Sequence, residues 1–168
     1  MQPLIITIMG KDKPGLVDAL AKCVYRHDAN WLGSSFAHMA GQFTGFVEVH
    51  VPIAKHDELV EALNCLPDLT VQSVTTAKGP APFSDTLSVH IIGNDKPGIV
   101  QELTNILNQF SLNIISFTSR CESAPNWGSE MFKAEAVIAV PEAFDDSALQ
   151  TALEEIANDL VVDINTQV

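Results

Sequence analysis

The chain repeats its own sequence, and this repeat limits the folds open to it more than any other feature. Residues 9–17 (MGKDKPGLV) recur as residues 92–100 (IGNDKPGIV), an offset of 83 residues that also brings Asn30 onto Asn113. Further along, residues 43–52 align with residues 132–141 at an offset of 89. The common order and spacing, with one insertion that predicts a longer loop near residues 123–128, indicate two copies of one structural unit.

Within each copy, strand-like and helix-like patterns follow one another in the same order. Apolar runs at residues 4–9 and 87–92 predict the first strand, and Pro14 and Pro97 predict the first helical position. Asn30 and Asn113 begin the second strand, and Asp146 or Ser147 is expected to cap the last helix. The resulting βαββαβ order predicts an α+β fold: two ferredoxin-like modules in tandem, each an antiparallel sheet with both helices on one face.

The boundary between the copies is marked by composition. Residues 78–82 (KGPAP) contain two prolines and one glycine between apolar segments, which favours an extended linker. We therefore predict a first module at residues 1–77, a linker at 78–85 and a second module at 86–168.

Charge and cysteine usage exclude several classes of function. The net charge of −12 disfavours direct binding to nucleic acid or to an anionic membrane surface, because both are themselves negative. Three widely spaced cysteines without a CxxC pair disfavour a disulfide framework or a zinc site, and no histidine pairing indicates a metal. The two Gly-x4-Gly segments lack the lysine and hydroxyl residue of a phosphate loop. We expect a cytoplasmic protein with no cofactor, no membrane segment and no catalytic role.

The loop that follows the first strand is the only candidate site that occurs twice. The first N–H groups of a helix have no intrahelical partner and lie at the positive end of the helix dipole, which suits a carboxylate. Asp12 and Asn30 offer oxygen atoms to an ammonium group, and Gly15 leaves room for a ligand. This combination suits a free amino acid, and Asp95, Gly98, Ile99 and Asn113 repeat it in the second copy.

A purely structural interpretation of the same residues stays open. An Asp-x-Pro-Gly segment is also typical of an ordinary helix start, with Asp12 accepting hydrogen bonds from the first turn. Duplication of such a cap would produce the same repeat. The sequence alone leaves the two interpretations undecided.

The Gly-x-Asp-x-Pro-Gly loops, the βαββαβ order and the asparagine at the second strand resemble ACT domains, small regulatory modules that bind amino acids. The resemblance covers nearly the whole chain as two consecutive modules. A tandem pair without an attached enzyme, with Thr118-Ser119-Arg120 before a polar loop, is most similar to the glycine cleavage system transcriptional repressor group. The resemblance implies ligand sites at interfaces between modules, formed by these residues: Asp12, Lys13, Pro14, Gly15, Leu16 and Asn30, and Asp95, Lys96, Pro97, Gly98, Ile99 and Asn113.

The resemblance also implies a function and its partners. It predicts a non-enzymatic sensor of a small amino acid, glycine or a similar one, that modulates transcription through a separate DNA-binding protein. A regulatory subunit detached from an amino-acid biosynthetic enzyme is the alternative, and a homo-oligomer is possible in either case. Trp31 in the first copy corresponds to Ile114 in the second, and this difference argues against equal ligand affinity at the two sites.

Overall fold

The chain forms two compact units, Met1–Pro80 and Ala81–Val168. Residues 1–77, 85–123, 128, 130–156 and 159–167 are described by the structure, a computed structural model. Most of the predicted linker, residues 78–84, lies outside the described residues, and Asp85 is the first residue of a strand. The boundaries proposed from composition therefore stay a prediction.

The first unit follows the βαββαβ order. Its elements are β1 (Gln2–Lys11), α1 (Leu16–Arg26), β2 (Asn30–Met39), β3 (Gln42–Val51), α2 (His56–Asn64) and β4 (Thr70–Thr75), with a short 3-10 turn at Ile53–Lys55 before α2. The strand order across the sheet is β2-β3-β1-β4, and each pairing is antiparallel. The helices cover one face of this sheet, so the predicted ferredoxin-like arrangement is confirmed.

The second unit repeats this architecture. Its elements are β5 (Asp85–Asn94), α3 (Ile99–Gln109), β6 (Asn113–Ser123), β7 (Glu130–Val140), α4 (Asp146–Glu154) and β8 (Val161–Gln167), with strand order β6-β7-β5-β8. Strand β6 extends to Ser123, so Arg120 belongs to a strand. The predicted longer loop falls on residues 123–128, of which 124–127 lie outside the described residues.

Each unit has its own apolar core between the sheet and its two helices. Alternate residues of β1 and β3 face the helices, because side chains alternate between the faces of a strand, and those in the middle of this face are buried. In the first unit the core comprises mainly Leu4, Ile6, Ile8, Leu20, Val24, Val47, Val49, Leu59 and Leu63. In the second it includes Val89, Ile91, Leu103, Phe132, Ile138, Leu149 and Leu153. In β3, Val47, Val49 and Val51 are buried, whereas Phe46 and Glu48 between them are exposed.

The starts of the helices differ from the predictions by one or two residues. Gly15 is the N-cap of α1, so Pro14 precedes the cap and is not the first helical residue. Gly98 likewise caps α3, and Pro97 precedes it. Asp145, rather than Asp146 or Ser147, caps α4, where its carboxylate accepts a hydrogen bond from the backbone N–H of Ala148 at 3.2 Å.

The first glycine of each repeated loop has a packing role. A Cβ atom on Gly10 would lie 2.2 Å from the backbone oxygen of Asp68, in the turn before β4. A Cβ atom on Gly93 would lie 2.9 Å from Leu160 in the equivalent turn. The spacing that had been compared with a phosphate loop therefore reflects, at its first glycine, a close approach of two chain segments.

This contact gives a stability prediction. We expect Gly10→Ala to lower the free energy of unfolding by about 1–3 kcal/mol, since the added methyl group meets a backbone atom that cannot rotate away. Gly33→Ala is the matched control, because a Cβ atom at Gly33 meets nothing within 4 Å. Urea unfolding of both variants measures the difference. Equal transition midpoints for Gly10→Ala and the parent protein would contradict the packing role.

Candidate functional site

A left-handed glycine begins each of the repeated helices. Gly15 has φ of 91° and Gly98 has φ of 87°, a region that side chains other than glycine rarely adopt. The carbonyl of Gly15 accepts from the N–H of Ala19 at 2.9 Å, which is the first hydrogen bond of α1. The chain therefore turns sharply after β1 and directs the N–H groups of the first helical turn toward the loop.

The carboxylates of the two loop aspartates lie near the edge strand of their sheet, β2 or β6, and do not cap the helix that follows them. In the described part of the chain, neither Asp12 nor Asp95 accepts a hydrogen bond from the first helical turn, as the capping interpretation requires. Asp12 Oδ2 lies 3.6 Å from His38 Nε2. Asp95 lies close enough to Cys121 for its negative charge to raise the pKa of the thiol.

His38 and Cys121 occupy the same position of the repeat, at the offset of 83 residues. Register places both on the helix side of their sheets, with His38 opposite Phe43 and Cys121 opposite Phe132. Neither residue was among the predicted site residues. The common offset could have found them, although an imidazole and a thiol do not look alike in sequence.

The lysines of the two loops bind groups of their own module. Lys13 forms an ion pair with Asp68, in the turn that also contacts Gly10. Lys96 donates to the carbonyl of Ile156 at 3.2 Å and lies 2.6 Å from Glu102 Oε2. Both side chains thus tether the loop to the adjoining segments.

A depression of about 200 Å³ lies at the N-terminus of α1. It is lined by four of the predicted residues, Asp12, Lys13, Gly15 and Leu16, together with Val17, Asp18 and Phe43. Phe43 stacks on Phe36 with ring centroids 5.3 Å apart, so an aromatic pair supports one wall. A carboxylate, helix N–H groups and an apolar wall therefore meet at one place, as the residues of an amino-acid site must.

The structure does not bring Asn30 to this depression within one module. Asn30 is opposite His50, which is opposite Pro3 near the start of β1, whereas Asp12 follows the last residue of β1. Asp12 lies nine positions beyond Pro3 along the chain, which is roughly 30 Å of strand. Asn113 has the same placement, because it is opposite Ala139, which is in turn opposite Thr86 near the start of β5. Neither asparagine therefore reaches the loop of its own module.

Trp31 and Ile114 occupy equivalent positions of the two copies, and both contribute to core packing. Each is partly buried and packs against the apolar cluster of its own unit. Trp31 also contacts Phe36, with ring centroids 6.3 Å apart. Their difference therefore changes core packing at the end of the sheet where Asn30 and Asn113 lie.

Two further observations concern other kinds of site. Within the described ranges, no three side chains of His, Cys, Asp or Glu gather as a metal ion would require. None of the helices in those ranges combines the length and apolar character needed to cross a bilayer.

Comparison with known proteins places this geometry in a family. The ACT-domain model matches residues 2–72, which contain the first loop, both helices of the first unit and most of its sheet. A UPF0237 protein of Methanococcus maripaludis is 30% identical over 84 residues, 49% of this chain and 87% of that protein. The second unit repeats the topology and the loop of the first. The chain is a tandem ACT-domain protein.

Full-length similarity extends across both ACT modules. The glycine cleavage system transcriptional repressor of Escherichia coli strain K12 is 24% identical over 162 residues, covering 94% of this chain and 85% of that protein. A crystal structure of a Galdieria sulphuraria protein of unknown function superimposes with a TM-score of 0.85 at 23% identity, over 99% of both chains. A protein provisionally assigned as a glycine cleavage system transcriptional repressor gives a TM-score of 0.68 at 20% identity, over 99% of this chain and 97% of its own. These structures share the tandem fold.

The contact between Asp95 and Cys121 predicts thiol reactivity in the second ACT module. Partial desolvation and the negative charge of Asp95 raise the pKa of the Cys121 thiol. Asp95→Asn removes that charge and lowers this pKa, so more thiolate is present at a given pH. We expect iodoacetamide to alkylate Cys121 several-fold faster in Asp95→Asn than in the parent at about pH 8.

Mass spectrometry of the peptide containing Cys121 follows that reaction. Exposed Cys65, in the first ACT module, serves as the internal reference whose rate stays the same. An unchanged rate at Cys121 would show that Asp95 does not control this thiol.

Proposed function

We propose that this tandem ACT protein is a non-enzymatic sensor of a small amino acid, glycine or a similar one, that regulates transcription through a protein partner. The observation that carries the proposal is the depression at α1, where helix N–H groups and the Asp12 carboxylate meet. The ACT family of the chain and its similarity to a transcriptional repressor support a regulatory role rather than catalysis. Regulation of transcription also favours a cytoplasmic location.

The chemistry of the loop suits a zwitterion. The α-carboxylate of the ligand accepts from the N–H groups of Leu16 and Val17, which lie at the positive end of the helix dipole. The α-ammonium donates to Asp12, where it replaces the nearby imidazole of His38. In the second ACT module the group near the aspartate is the Cys121 thiol, whose pKa Asp95 raises. The two sites therefore differ in the group that the ligand displaces.

The placement of Asn30 and Asn113 gives these residues a different part in the proposal. Because each lies at the far end of its own sheet, it can complete a site only at the loop of another module. Ligand sites shared between modules, as the ACT resemblance implies, satisfy this condition. A homo-oligomer also satisfies it.

The size of the ligand limits the affinity. Glycine has about five non-hydrogen atoms, and a ceiling of about 1.5 kcal/mol per atom gives a dissociation constant no lower than about micromolar. Such a ligand exchanges readily with its free pool. This behaviour suits a sensor of metabolite concentration and does not suit a permanently bound cofactor.

The negative charge of the chain favours an indirect effect on DNA. A net charge of −12 opposes contact with phosphates, so a separate DNA-binding protein supplies that contact. A regulatory subunit of an amino-acid biosynthetic enzyme is the second candidate, because the same ligand site would serve it. Tagged protein isolated from native extract distinguishes them: a DNA-binding partner supports the first and a biosynthetic enzyme supports the second.

Thermal unfolding in the presence of each of the twenty amino acids tests the sensor. At about 100 times its dissociation constant, a bound amino acid stabilises the protein by about 2.7 kcal/mol, which raises the melting temperature. We expect Asp12→Asn combined with Asp95→Asn to weaken this response, because neither amide can neutralise the ligand ammonium. Aspartate variants are preferable to substitutions at Gly15 or Gly98, whose positive φ angles would strain any side chain.

Glu61→Gln is the matched control, since it removes one exposed carboxylate of α2 that has no part in the site. The control variant should respond like the parent. A melting temperature that no amino acid changes would contradict the proposal, and so would a full response in the double aspartate variant.

A further inference from the structure

The face of the second sheet that turns away from the helices contains a depression of about 290 Å³. Two adjacent rows of side chains line it across three strands. Register places Arg120, Lys133 and Ile92 in one row, and Thr118, Glu135 and His90 in the next. The segment Thr118-Ser119-Arg120, which resembles the repressor group and has no part in the loop site, lies here.

The first of these rows is positively charged. Arg120 Nε lies 2.5 Å from Glu122 Oε1, and the ammonium of Lys133 donates to the other oxygen of Glu122 at 2.7 Å. The hydrogen bond from Lys133, with the charge of Arg120, holds the pKa of Glu122 below its ordinary value. The carboxylate of Glu122 thus pairs with two cations. Its single negative charge neutralises only one of them, so one positive charge is left to bind a ligand.

The adjacent row supplies a carboxylate. Glu135 is exposed, and nothing else in the described part of the chain pairs with its charge. Lys133 and Glu135 are two residues apart on β7, so their Cα atoms are roughly 7 Å from each other on the same face. The lining therefore has a positive end at Arg120 and Lys133 and a negative end at Glu135. Two further carboxylates lie beside it: Glu122, which pairs with both cations, and Asp163, which is opposite His90 in the row of Glu135.

We propose that this depression binds a small aminocarboxylate, with its carboxylate on Arg120 and Lys133 and its ammonium on Glu135. A short zwitterion that makes a charge-assisted hydrogen bond of about 2.8 Å at each end has a total reach similar to the separation of the two rows. A simple anion is repelled by Glu135, and a simple cation is repelled by Arg120 and Lys133. A ligand carrying both charges meets neither penalty.

The first ACT module lacks this arrangement. The equivalent row there consists of Ala37, Thr44 and Met9, and the next row has Phe46 where the second module has Glu135. The first module has an equivalent depression of about 270 Å³, but no charged side chain lines it. The charged set is thus a feature of the second module alone, whereas the loop sequence occurs in both. It also lies on the opposite side of its sheet from the helix N-terminus, so it does not depend on the proposed loop sites.

Glycine, acetate and methylammonium are the probes that test this site. Glycine contains both charged ends, and each of the other two compounds contains one. We expect glycine, titrated into 15N-labelled protein, to shift the backbone amide signals of Thr118, Ser119 and Ala134 in a saturable manner. Acetate and methylammonium are expected to bind at least tenfold more weakly, since each meets one repulsive end.

Two variants and one control identify the residues. Arg120→Gln and Glu135→Gln should each weaken glycine binding at these amides at least tenfold. Glu48→Gln makes the same chemical change as Glu135→Gln on the corresponding face of the first module and should leave binding unchanged. Dispersed amide signals in the free variants verify that they fold.

The amide signals also separate this site from the loop sites. Shifts confined to the loops at Gly15 and Gly98 would support the proposed function and overturn the proposal for the sheet face. Acetate binding as tightly as glycine would overturn it in favour of a simple anion site. Saturable shifts at Thr118 and Ser119 without any at the loops would support the sheet-face site and count against the loop sites.

Discussion

Burial of the central strand on one face of each sheet is the constraint on which the remaining geometry depends. Strand β1 pairs with β3 on one side and β4 on the other, and its residues Leu4, Ile6 and Ile8 are 0–1% exposed. Such a strand cannot slip by one residue without turning its apolar side chains to solvent. The end of the strand is fixed in consequence, and with it the position from which the Asp12 loop and α1 begin.

The same constraint separates the two groups of residues that a module offers to a ligand. Since β1 and β2 are both antiparallel to β3, these two strands run in the same direction. The last residue of β1 and the first residue of β2 therefore lie at opposite ends of the strands. A ligand that needs both the loop and the asparagine must therefore lie between two modules. Association of ACT modules is then a requirement of such a site rather than an addition to it.

The order and type of the elements could be predicted from the sequence because the repeat and the apolar alternation are both local signals. The placement of Asn30 required the topology of the sheet, which the spacing along the chain does not contain. Pro14 was assigned two positions too deep in the helix, because Gly15 takes up a left-handed conformation that ends the turn before α1. His38 and Cys121 were missed because the repeat preserves their position but not their chemistry.

The two modules differ in charge on the sheet face that the core does not require to be apolar. On the helix side, equivalent positions of β3 and β7 remain apolar in both copies, as in Val47 and Ala136 or Val49 and Ile138, because the core requires it. On the other face, Thr44 and Phe46 of the first copy correspond to Lys133 and Glu135 of the second. Charges on that face contribute little to stability when they are exposed, so stability alone does not explain a bipolar set in one copy only. A ligand that recognises both charges gives a physical reason for the difference, and it assigns distinct roles to two modules that share one fold.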